Sequence, residues 1–133
     1  METLIFFINA GLNPTQLMNL ADTVFRCLDI GEWEERFSAN YPPKDHYFAG
    51  YTENAEIEVY DSDDLTTPDY PFRISVKKAT WRIGRGIIVT EPSKIAELLA
   101  TCGFAVFIPS GAWYRTDWDG QGEFYAAKKG HER

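Results

Sequence analysis

Two stretches of the chain carry an apolar stripe at helical spacing, and a long strand-like region separates them. That order restricts the fold more than any other feature. In the first stretch Leu17, Leu20, Ala21, Val24, Phe25 and Leu28 follow i, i+3, i+4, i+7, i+8 and i+11, one face of an α-helix. Asn13-Pro14 predicts its start, a capping side chain followed by Pro at the first helical position. Gly31 is expected to end it in a left-handed conformation. In the second stretch Ile95, Leu98, Leu99 and Cys102 make the apolar face. Thr90-Glu91-Pro92-Ser93 opens that helix and Gly103 closes it.

The remaining segments read as strands. Leu4-Ile5-Phe6-Phe7-Ile8 is a continuous apolar run, which suits a strand buried on both faces. Trp33–Ser38, Tyr47–Tyr51, Ala55–Tyr60 and Phe72–Lys77 come next, then Ile83–Val89, Phe104–Ile108 and Glu123–Ala127. Within Ala55–Tyr60, Ile57 and Val59 share one face while Glu56, Glu58 and Tyr60 share the other. Pairing that strand with Phe72–Lys77 across the intervening loop sets Ile57 opposite Val76 and Val59 opposite Ile74. The same register sets Glu56 opposite Lys77 and Tyr60 opposite Arg73 on an outer face expected to meet solvent. Strand runs around two isolated helices predict α+β architecture: a single, mainly antiparallel sheet with two helices packed on one face. The β-α-(meander)-α-β order fits a decorated ferredoxin-like arrangement. At 133 residues the chain is one domain, with residues 128–133 a frayed polar tail.

The formal charge of −7 is localised. Between Asp45 and Phe72 lie eight acids (Asp45, Glu53, Glu56, Glu58, Asp61, Asp63, Asp64 and Asp69) and no Lys or Arg, leaving 12 acidic and 13 basic residues elsewhere. Such a balance argues against a nucleic-acid partner, which needs clustered cations. An apolar content of 44% excludes a disordered chain. No stretch approaches the roughly 20 apolar residues of a membrane span. The N-terminal run lacks a basic flank and is too short for a signal core, so a cytoplasmic protein is expected. Cys27 and Cys102 make no disulfide framework and read as small buried hydrophobes.

No catalytic signature emerges. An EF-hand counted from Asp61 meets Thr66 at position 6 and Phe72 at position 12, where Gly and Glu are needed. Counted from Asp117, position 12 is Lys128. The alternatives to a binding protein are a small enzyme with a site assembled around His46 and the Asp/Glu cluster, and a calcium-dependent binding module. In the enzyme reading Glu56, Glu58 and Asp61 are candidate paired carboxylates, although Glu56 and Glu58 fall on the expected solvent face. Neither a cofactor nor a metal is expected. The acids that strand pairing leaves unneutralised are Asp61, Asp63, Asp64 and Asp69, beside Tyr60 and Tyr70, with Glu53 at the preceding turn. Acids speed encounter with a basic protein and exposed tyrosines supply contact energy, so these residues are the expected partner-binding surface.

One stretch adds a family expectation. Arg36-Phe37-Ser38-Ala39-Asn40-Tyr41, Tyr47-Phe48-Ala49-Gly50, Ile57-Glu58-Val59, Asp61-Ser62-Asp63-Asp64 and Pro68-Asp69-Tyr70-Pro71-Phe72 together resemble small acidic bacterial immunity proteins of polymorphic toxin and contact-dependent growth inhibition systems. The resemblance covers residues 33–76 and lies in spaced aromatics and acids. It implies stoichiometric inhibition: binding of a cognate toxin domain, often a basic nuclease, so that its active or substrate-binding surface is blocked. It implies no catalytic residues.

Overall fold

A computed structural model describes residues 3–41, 45–51, 55–62, 67–78, 92–110 and 118–128. The expected strand Ile83–Val89 lies outside these residues. Strand β1 (Thr3–Asn9) leads into helix α1 (Leu17–Cys27), and then β2 (Trp33–Phe37), β3 (His46–Tyr51), β4 (Ala55–Asp61) and β5 (Phe72–Lys78). Helix α2 (Pro92–Thr101), β6 (Ala105–Pro109) and β7 (Gly122–Tyr125) complete the order. The seven strands of the described residues join one antiparallel sheet in the order β2-β3-β4-β5-β1-β6-β7. β5 and β6 run parallel with β1 between them, and β1 and β2 run parallel with three strands between them. These are two split β-α-β units, the ferredoxin-like order enlarged by β3, β4 and the edge strand β7.

The apolar run of β1 has the place its composition demands. β5 and β6 flank it, Phe6 and Ile8 face the helices, and Phe7 is equally buried on the opposite face. Helix α1 packs over β3 and β4, α2 over β6 and β7, and the helices touch each other. Leu17, Leu20, Ala21, Val24 and Phe25 of α1 meet Ile95, Ala96 and Leu99 of α2 and the inward residues of the sheet in one core. The expected register of β4 on β5 is the one observed: Ile57 pairs with Val76, Val59 with Ile74, Glu56 with Lys77 and Tyr60 with Arg73.

Several local expectations are corrected. Helix α1 begins at Leu17 with Gln16 as its N-cap, not at Asn13-Pro14. The Asn13 amide instead donates to the Cys102 carbonyl at 3.0 Å, tying the β1–α1 connection to the end of α2. Gly31 is not the left-handed residue after α1. Asp29 is, at φ 61°, and the Asp29 and Ile30 amides donate to the carbonyls of Arg26 and Phe25. That bond pair is a Schellman closure. The short Asp side chain tolerates the left-handed region better than most. At the end of α2 the expectation stands, with Gly103 at φ 96°. Leu98, placed on the apolar face of α2, is 40% exposed, and Ala96 and Ala100 fill that face instead. Small residues there let the helix approach the sheet closely.

Cys27 and Cys102 are also corrected: they form a disulfide. It joins the C-terminal ends of the two helices across 75 positions of sequence, a pairing invisible to local pattern.

Helix α1 approaches the sheet tightly at Gly50. A Cβ there would lie 2.7 Å from Phe25 Cε1 and 3.0 Å from Ile30 Cγ2, while one at Gly31 would meet nothing within 4 Å. Gly50→Ala should therefore destabilise the fold by about 1–3 kcal/mol through overpacking. Gly31→Ala should be neutral or stabilising by up to about 1 kcal/mol, because it restricts only the unfolded chain. Urea denaturation of the two variants checks the contrast.

Candidate functional site on the open face of the sheet

Both helices of the described residues cover one face of the sheet, and the candidate site lies on the other, the open face in the sense that no described helix covers it. Alternation along each strand sends Arg36, Tyr47, Ala49, Glu56, Glu58, Tyr60, Arg73, Ser75, Lys77, Phe7, Phe107 and Phe124 to this open face. It divides into a polar centre and an aromatic flank.

Glu58 dominates the polar centre. The expectation of a solvent-facing Glu58 fails, since the residue is only 3% exposed. Its carboxylate accepts from the Tyr41 hydroxyl at 2.7 Å and from Lys77 Nζ at 3.2 Å. Tyr41 arrives from the loop after β2. Its ring stacks on Tyr47 at 3.9 Å and meets Tyr60 edge-on at 5.0 Å, roofing the carboxylate. Glu56, half-buried beside Glu58, has its pKa raised by burial and by the neighbouring negative charge. Burial lowers the pKa of Lys77, but the adjacent Glu58 and Glu56 outweigh it and leave the ammonium more firmly protonated than usual. Burial and the bond to Glu58 push the Tyr41 hydroxyl far above its ordinary range.

Tyr60, expected as an exposed contact residue, is buried at 9% exposure. Its hydroxyl shares a 2.5 Å hydrogen bond with Ser75 Oγ, and the Arg73 guanidinium lies 5.6 Å from its ring and 5.1 Å from that of Phe7. Asp61 ends β4 half-buried, with Oδ2 enclosed by protein. Tyr60 therefore belongs to the scaffold beneath the surface, and Asp61 stands half-buried at its edge. Glu53, Asp63 and Asp64 lie outside the described residues.

Asp69 is exposed and Tyr70 half-buried, both on the aromatic flank. Thr67–Tyr70 is a turn closed by the Tyr70 amide donating to the Thr67 carbonyl at 3.0 Å, with Pro68 suited to its second position. The Asn9 side chain donates to the Asp69 carbonyl at 3.3 Å and pins the turn to β1. From there the Tyr70 ring reaches Phe107 at 5.7 Å and Phe124 at 6.5 Å. Phe107 also meets Phe124 at 4.5 Å and Trp118 at 5.9 Å. The Trp118 indole N–H donates to the Ser110 carbonyl at 2.8 Å, fixing its ring. These rings, with Thr67, Pro68, Asp69 and Gly120, line a groove of about 170 Å³. Phe107 is its buried floor, and Phe124, 67% exposed, is its open wall.

The pattern of residues did not reveal Phe107, Trp118 and Phe124 as a site. The available signal was the alternation in Glu123-Phe124-Tyr125, which turns one aromatic inward and its neighbour outward. Only the pairing of β6 with β7 sets Phe124 opposite Phe107.

The alternative sites gain little. His46 opens β3 half-buried between the rings of Phe37 and Phe48, with Nε2 3.6 Å from Glu35. Among the described residues no three His, Cys, Asp or Glu side chains gather as metal ligands, and no helix is long and apolar enough to cross a membrane. Comparison of the chain with protein-family models, curated proteins and solved structures finds no match.

The Tyr41 roof has a pH signature. A neutral Tyr41 held above the unfolded value of about 10 stabilises the fold fully below that pH and progressively less above it. Tyr41→Phe should cost about 1–2 kcal/mol at neutral pH through the lost bond to a buried carboxylate. It should also lose stability less steeply than the parent between about pH 10 and 12. Denaturant midpoints across that range measure both effects.

Proposed function

We propose that the chain is a protein-binding module of the bacterial immunity type, which holds a basic toxin domain against the open face of its sheet and blocks that domain's active or substrate-binding surface. One observation carries this reading: the exposed aromatic wall formed by Phe124 lines the same groove as Asp69, an acid of the segment that holds the chain's excess negative charge. Aromatic anchors within a charged rim are what a protein interface needs, with contact energy from the rings and a faster encounter from the charge. The resemblance of residues 33–76 to immunity proteins supports the class of partner.

The proposed site of action is the cytoplasm. Disulfides are rarely stable there. Cytoplasmic action thus requires a fold whose open face survives reduction of Cys27–Cys102, and the bridge lies among the helices on the other side of the sheet.

Affinity purification from the source cell should recover a basic protein at one-to-one stoichiometry. That protein should arrest growth when expressed alone and lose the effect when co-expressed with this chain, including as Cys27→Ser/Cys102→Ser. Replacing Asp63, Asp64 and Asp69 together with Lys should slow association at least about tenfold at low salt and remove most of its salt dependence. Asp61 is left intact because its buried oxygen would confound binding with folding. Undiminished association by the triple variant, or a partner harmless on its own, would contradict the proposal.

A further inference from the structure

The aromatic groove has a specific chemistry, and the ligand it selects is identified on the footing that the open face binds a protein. Tyr70, Phe107, Trp118 and Phe124 surround a volume of about 170 Å³, room for one side chain and too little for a helix or strand. A purely apolar occupant would make no use of Asp69, an acid among the lining residues. A cation satisfies both parts of the lining, since ring faces attract positive charge within about 6 Å of their centroids and the carboxylate adds a charged hydrogen-bond acceptor. Asp69 lines the same groove as Tyr70 and Phe124; burial, and after it the Asp69 charge, raises the pKa of the Tyr70 hydroxyl.

The same face shows which cation fits. Its own guanidinium groups lie over rings: Arg73 5.1 Å from Phe7 and 5.6 Å from Tyr60, and Arg36 5.3 Å from Tyr51. A flat guanidinium stacks on a ring while its edge N–H groups reach a carboxylate, whereas a compact ammonium manages only the point-charge part. We infer that the groove between the Thr67–Tyr70 turn and β7 is a receptor for a single arginine side chain of the partner, its guanidinium stacked on the exposed aromatic wall and paired with Asp69.

The groove can be tested without the partner. The whole chain is titrated with N-acetyl-arginine amide and, in parallel, with its uncharged isostere N-acetyl-citrulline amide and with N-acetyl-lysine amide. The ¹⁵N-attached indole proton of Trp118, assigned with Trp118→Phe, reports occupancy. The arginine derivative should produce a saturable shift, with lysine weaker and citrulline weaker by about fivefold or more. Asp69→Asn changes an exposed side chain and should weaken the arginine response by a similar factor with an unchanged thermal midpoint. Phe124→Ala should weaken it as much while lowering the midpoint slightly through the lost ring contact with Phe107. Equal responses to arginine and citrulline, no response at Trp118, or a response untouched by both substitutions would overturn the inference. A positive titration from a chain that captures no toxin would keep the groove and sink the toxin reading. A captured toxin with a silent groove would do the reverse.

Discussion

The described fold depends on the burial of β1 on both faces. Phe6 and Ile8 press against the helices while Phe7 is sealed on the other side. Among the described residues, β1 is the strand that joins the two halves of the sheet, β2 to β5 on one side and β6 with β7 on the other. The aromatic groove straddles this join. Its Thr67–Tyr70 turn lies just before β5 and is held by Asn9 at the end of β1, and its floor and wall come from β6 and β7. A rigid central strand is what brings Tyr70 to Phe107 from across the chain.

The two faces of the sheet do different work. The helix face is a closed apolar core. The open face buries polar and charged groups against partners: Glu58 against Tyr41 and Lys77, Tyr60 against Ser75, and the half-buried Arg73 over two rings. A buried carboxylate left without such partners would be strongly destabilising. The polar centre thus holds the sheet's outer surface in place, and on the aromatic flank Phe124 is the exposed ring.

Legibility in the sequence tracks how local each feature is. The alternation in Ala55–Tyr60 and Phe72–Lys77 was enough to set the register of β4 on β5, because a one-residue slip would turn Ile57 and Val59 out of the core. The stripe in α1 and the Gly103 terminus of α2 were equally plain. Features made by distant residues were not. Glu58 looks like a solvent-facing strand residue until Tyr41 folds over it from another loop. Asn13-Pro14 has the form of a helix start, but Asn13 is used to hold Cys102. The Cys27–Cys102 bond and the Phe107–Phe124 pair depend on how whole elements stack. The expected acidic surface was likewise only partly legible: Asp69 is exposed as anticipated, Asp61 and Tyr70 are half-buried, and Tyr60 is buried.

The central claim is that the open face, not the helix layer, meets the partner. Amide hydrogen exchange of the chain, free and bound to its basic partner, tests this directly. An open-face binder should gain protection in Thr67–Tyr70, around Trp118 and in Gly122–Tyr125, with the exposed sides of Leu17–Cys27 and Pro92–Thr101 unchanged. Protection confined to the two helices, with Thr67–Tyr70 and Gly122–Tyr125 exchanging as in the free chain, would contradict it.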